Sequence, residues 1–126
     1  MSQLEATVKE LINNFDSMNF AASRELLAPD SQGIDEISHR WLRTADEIGE
    51  YFGQLESSVS DLSTKLSDLR EQTWGEVGLV TCWLEQDYTM RGTRQHVSSP
   101  TTFVLRRIDD RWKVALVHSI PLPEGD

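Results

Sequence analysis

The spacing of apolar residues changes once along this chain, near Trp74, and that change limits the folds open to it. Before it the spacing is helical. Leu4, Val8, Leu11, Ile12 and Phe15 fall on one face of a first helix, and Ser2 and Glu5 stand at capping-box spacing ahead of it. Phe20 to Leu27 reads as a short second helix capped by Asn19 and stopped at Ala28 by Pro29. A third begins at Thr44, boxed with Glu47, and turns Ile48, Tyr51, Phe52 and Leu55 inward. After Trp74 the period is two. Val77 to Tyr88, Thr101 to Ile108 and Arg111 to Ile120 read as strands, separated by turns at Met90-Arg91-Gly92 and Asp109-Asp110. Helices followed by an antiparallel meander predict an α+β fold, and 126 residues suit one domain over 1–126.

Two stretches resist this reading. Ile34 to Trp41 has no clear period and suits a short strand with a loop. Leu55, Val59, Leu62, Leu66 and Leu69 continue a heptad-like pattern, yet residues 57–67 hold six Ser or Thr, which weaken helix interiors. The expected helix end is near Ser58 and the expected strand about Ser63 to Trp74, with 59–66 open to helix, loop or strand.

Charge and cysteine content exclude several functions. The net charge is −9, of which −8 lies in residues 1–72. Such a surface repels phosphate backbones, so no nucleic-acid partner is expected. The single cysteine, Cys82, sits in an apolar run and reads as a buried hydrophobe. No apolar run approaches the ~20 residues of a membrane span, and the N-terminus carries no signal-peptide pattern. The expectation is a cytoplasmic protein without a membrane partner. His39, His96 and His118 lack ligand spacing, so no metal is expected, and no phosphate-binding loop or nucleophile elbow is present.

Three segments, NFAASRELLAPD (19–30), LSDLREQTWGEVGLVTCW (66–83) and PTTFVLRRIDDRWKVALVHSIPLPE (100–124), resemble the SnoaL-like branch of the nuclear-transport-factor-2-like (NTF2-like) superfamily. The resemblance spans most of the chain. It implies a cystatin-like cone, with N-terminal helices packed on a strongly curved, mostly antiparallel sheet around a pocket, and homodimers formed through the outer sheet face. Strand 77–88 independently calls for cover on both sides. It carries Val77, Leu79 and Trp83 on one parity and Val80, Cys82 and Leu84 on the other. The superfamily holds isomerases, dehydratases, cyclases and association domains, so fold alone does not choose among them.

Parity groups Leu79, Thr81, Trp83, Glu85 and Asp87 with Thr101, Phe103 and Leu105, and with Trp112, Val114, Leu116, His118 and Ile120. Similarity to the calcium/calmodulin-dependent kinase association domain implies that Glu85, Phe103, Leu116 and His118 face inward. His118, Glu85 and Asp87 are therefore the expected acid–base groups. Trp41, Tyr51, Trp83, Phe103 and Leu116 are the expected ligand walls. Aligned on Trp112, the association domain's pocket arginines are replaced by Glu85 and Phe103, and a further His by Leu116, which implies a less cationic, more apolar cavity. The expected occupant is a small, mostly apolar ligand. Ketosteroid-isomerase-like relatives need an Asp base and a Tyr with a second acid, and that activity does not carry over by motif. Two functions follow: a pocket protein doing cofactor-free isomerase or dehydratase/cyclase-like chemistry, or a non-catalytic dimeric association module.

Overall fold

The computed structural model describes residues 2–123. Three helices, α1 (Gln3–Asp16), α2 (Phe20–Glu25) and α3 (Ala45–Ser58), accompany five strands: β1 (Leu27–Ile34), β2 (Val59–Trp74), β3 (Val77–Met90), β4 (Thr93–Ile108) and β5 (Arg111–Ser119). The expected caps are formed. Ser2 accepts from the Glu5 amide, Asn19 from that of Ala22, and Thr44 and Glu47 make a reciprocal capping box. The strands lie in the order β1-β5-β4-β3-β2, antiparallel except for the parallel β1–β5 pair. The architecture is the expected α+β, with the helices on one side of a mixed, open sheet.

Residues 59–66 belong to β2, not to a helix, and two bulges explain the misleading spacing. The register shifts between Ser60 and Ser63 and again between Ser67 and Arg70, with Asp61 and Asp68 at φ 51° and 50°. Each bulge adds one residue. Inward side chains therefore fall at Val59, Leu62, Thr64, Leu66 and Leu69, a mixture of twos and threes that imitates a helix. β1 occupies 27–34, where the sequence suggested only a helix end and an aperiodic stretch. β4 begins at Thr93 rather than Thr101, and β5 pairing starts at Thr101, so Pro100 sits on a stretch with no β5 partner.

Two-residue loops join the last four strands: Gly75-Glu76, Arg91-Gly92 and Asp109-Asp110. Arg91, Gly92, Asp109 and Asp110 all have positive φ, the backbone that lets so short a loop follow strand twist. The Arg91-Gly92 turn pairs Val80 with Phe103 and Cys82 with Thr101, so the even residues of β3 share a face with the odd residues of β4. This corrects the sequence parity. Val80, Cys82, Leu84, Gln86 and Tyr88 point into the core, while Leu79, Trp83, Glu85 and Asp87 point outward. In β5, Leu105 pairs with Val114 but Val104 with Leu116, leaving Ala115 as an extra residue. The bulge swaps the faces beyond it. Val114 points inward, then Val117 and Ser119 do so instead of Leu116 and His118.

One core cluster packs α1 on the sheet through Leu4, Val8, Leu11, Val80, Phe103, Leu105 and Val114. A second joins the helices to the far end of the sheet through Phe15, Phe20, Ile48, Tyr51, Leu55, Val59 and Tyr88. Leu84→Asp buries a carboxylate and should abolish cooperative unfolding in a urea titration, whereas Trp83→Asp, one residue away on the outer face, should retain it.

Candidate active site

Between the two clusters lies a cavity with about 90 Å³ of free space. Its walls are apolar side chains of α1, α3 and the sheet, among them Leu11, Phe15, Ile48, Tyr51, Leu84, Phe103 and Val117. The polar part of the lining comes from Ser31, Gln32, Asp35, Glu36, Thr101 and Ser119, and it includes no Lys, Arg or His. β1 ends at Ile34 and delivers the next two residues, Asp35 and Glu36, to this wall.

Asp35 is held by a turn. Its Oδ1 accepts from the amides of Ile37 (3.1 Å) and Ser38 (2.8 Å), and the Tyr51 hydroxyl donates to both carboxylate oxygens at 2.8 Å. Burial, with the Asp35 charge, holds the Tyr51 phenol well above its usual range. Glu36 is 4% exposed. Burial is the main force pushing its carboxyl from the ordinary 4.5 up to about 8, and the neighbouring Asp35 charge adds to it. Its own backbone amide and the side chains of Ser119 and Gln86 oppose the rise. Ser119 Oγ in turn meets Ser99 Oγ and Thr101 Oγ1, each at 2.8 Å. Tyr88 is raised as well, first by burial and then by the Glu36 charge. The result is a carboxyl that carries its proton near neutral pH beside apolar space, with no cation in the lining to draw the proton off.

Of the residues singled out from the sequence, Tyr51 and Phe103 line this cavity. Glu85 and Asp87 lie on the outer face and flank His96, whose Nδ1 sits 2.7 Å from Asp87 and whose Nε2 sits 3.1 Å from Glu85. The Asp87 hydrogen bond foremost raises the His96 imidazole above its usual value. Trp83 and His118 line an outer groove of about 380 Å³ with Ile120, and Leu116 is turned outward by the Ala115 bulge. Trp41 stands outside the cavity, its ring 5.9 Å from that of His118 and beneath the Arg43 guanidinium. Cys82 is buried, which pushes its thiol up to about 11 and leaves it a hydrophobe. Glu36 escaped the sequence reading because Asp35-Glu36 lies within an aperiodic segment and looks like a solvated loop. No helix is long and apolar enough to cross a membrane, among the described residues.

A helical layer against a curved five-stranded sheet with a cavity between them defines a class, and comparison places the chain in it. Residues 4–123 match the SnoaL-like domain model, and the chain belongs to that family. A proposed dehydratase of the NTF2-like family from Streptomyces avermitilis is similar at TM-score 0.86 and 17% identity, over 96% of this chain and 94% of the other. A ketosteroid isomerase-like protein from Erwinia carotovora atroseptica is similar at 0.81 and 17%, over 96% and 95%. A proposed calcium/calmodulin dependent protein kinase II association domain from Xanthomonas campestris is similar at 0.82 and 18%, over 96% and 86%. At such identities the likeness is one of fold. No curated protein matches the sequence.

The raised carboxyl has a thermodynamic signature. Between pH 4.5 and about 8 the folded state keeps the Glu36 proton and the unfolded state has lost it. Stability must then fall as pH rises through that window, by up to about 1.4 kcal/mol per pH unit from this group, and level off above it. Denaturant unfolding of the wild type and Glu36→Gln across pH 4 to 9 should show this slope in the difference between the two proteins.

Proposed function

We propose that the protein is a cofactor-free acid–base enzyme, of the isomerase or dehydratase/cyclase kind, acting on a small neutral molecule with Glu36 as proton carrier. The observation that carries this reading is a buried carboxyl, proton-bearing near neutrality, at the wall of an apolar cavity. Protonated, Glu36 gives its proton to a carbonyl or departing hydroxyl oxygen. Ionised, it takes one from carbon beside a carbonyl. The proton-transfer role thus falls to Glu36 rather than to His118, Glu85 or Asp87, with Tyr51 and Phe103 as ligand walls. An apolar lining without a cation favours an uncharged ligand.

The free space is smaller than the roughly 300 Å³ at which ordinary ligand pockets begin. Tyr51, however, also lines a surface pocket of about 280 Å³ on the α3 side. The two spaces share Tyr51 as a wall, and together their volume reaches the ligand range. Similarity to a proposed dehydratase and to a ketosteroid isomerase-like protein is in keeping with this chemistry.

Proton exchange tests the reading before any substrate is known. In deuterated water, small neutral ketones should exchange their α-protons faster with the protein than without it, with a pH inflection near 8. Glu36→Gln should lose about 100-fold or more of that acceleration. A cavity that binds none of the ketones and accelerates no exchange defeats it.

A second reading, a homodimeric association module, is favoured by the outer face. There Trp83 and Ile120 are 40% and 42% exposed beside the groove that holds His118. The likeness to a proposed association domain supports it. Sedimentation should then find a wild-type dimer that Trp83→Asp converts to a folded monomer. The same substitution leaving the mass unchanged removes this face from the assembly.

A further inference from the structure

Most hydroxyls on the cavity wall are committed to protein partners. Thr101 Oγ1 donates to the Ser99 carbonyl at 3.1 Å and lies 2.8 Å from Ser119 Oγ, which is also 2.8 Å from Ser99 Oγ. The Tyr51 hydroxyl is held by both oxygens of Asp35. Ser31 differs from these. It is 6% exposed and stands between the exposed Asp30 and Gln32, so strand alternation turns its side chain inward. Ser31 lines the cavity, and its hydroxyl has no hydrogen-bond partner among the described residues. Two other buried polar atoms without a partner, Ser23 Oγ and Gln86 Oε1, belong to residues that do not line this cavity. A hydroxyl shielded from water with no partner is unfavourable, and a ligand oxygen in the adjoining space relieves it.

We propose that Ser31 determines the specificity of the cavity, its hydroxyl donating to the carbonyl oxygen of a small, otherwise apolar ketone or aldehyde. The inference rests on the reading of this cavity as an acid–base site and names the ligand class that the site takes. One strand sets both groups: β1 carries Ser31 and, past its end at Ile34, delivers Glu36 to the same wall. Their tasks are complementary. Ionised Glu36 takes the proton from the carbon beside the carbonyl. The electron pair of the broken C–H bond forms the new C=C bond, and the carbonyl π pair moves onto oxygen, where the Ser31 hydrogen bond meets the growing charge. A site built to hydrogen-bond a ligand oxygen also discriminates against the analogue that lacks it, because the buried hydroxyl is then left alone.

The test uses the full chain and two probes of matched shape, cyclopentanone and methylenecyclopentane, in which a CH2 group replaces the carbonyl oxygen. Binding of each is measured to the wild type and to Ser31→Ala. The substitution should weaken cyclopentanone about 10-fold and leave methylenecyclopentane within about twofold. The infrared C=O stretch of bound cyclopentanone should rise in Ser31→Ala towards its position in hydrocarbon solvent, a change that a purely structural role does not produce. Equal weakening of both probes makes Ser31 structural and overturns the inference. So does an unchanged affinity for both, since the hydroxyl then holds water rather than ligand. Should Ser31→Ala fail to fold, Ser31→Cys, whose thiol is a weak donor, gives the same comparison. A wild type that binds neither probe sinks the cavity reading and the inference together. Proton exchange that depends on Glu36 without any Ser31 preference for the ketone overturns the inference alone. A Ser31-dependent preference without proton exchange upholds the inference and overturns the role of Glu36.

Discussion

The rest of the structure depends on the register that the tight hairpins impose. A two-residue loop offers one in-register pairing, and that pairing decides which parity of each strand meets the helices. The Arg91-Gly92 loop places Leu84 and Gln86 inside and Glu85 and Asp87 outside. The extra residue at Ala115 then exchanges His118 for Ser119 at the end of β5. A one-residue difference at the first place would turn two carboxylates inward, and one at the second an imidazole. Instead the sheet contributes hydroxyls, one amide and hydrocarbon.

The electrostatics of the interior follow from that arrangement. Charged groups on the sheet meet their partners on the solvent side, as His96 does between Glu85 and Asp87 and Arg106 does with Asp30. Such exposed pairs contribute little to stability. Glu36 has no such partner. It is delivered from the end of the parallel edge strand β1 into a space already holding the Asp35 charge, and the cheaper state is the neutral acid. Tyr51 serves both carboxyls. It binds Asp35 directly, and its buried ring lines the cavity with Glu36.

Much of this fold was legible in the sequence. Capping residues marked three helices, β-branched runs marked the C-terminal strands, and the last strand's closing pattern marked the family. The site was less legible, for reasons that lie in particular residues. The bulges at Asp61 and Asp68 spread the inward leucines of β2 to helix-like intervals. The bulge at Ala115 leaves no compositional trace, so alternation carried forward from Val114 reaches His118 when the fold has already turned it out. The Glu85 assignment was recoverable: a turn of two residues at Arg91-Gly92 requires opposite parities in the strands it joins. Glu36 had no such signal. An Asp-Glu pair in an aperiodic stretch gains its character from the surfaces packed around it, and these come from α3, β3 and β5.

The ring of Tyr51 borders two spaces, the cavity beside Glu36 and a pocket on the α3 side, and its phenol is tethered to Asp35. Turning that ring breaks two hydrogen bonds, so a molecule reaching Glu36 from the α3 side must offer the Tyr51 hydroxyl a substitute acceptor.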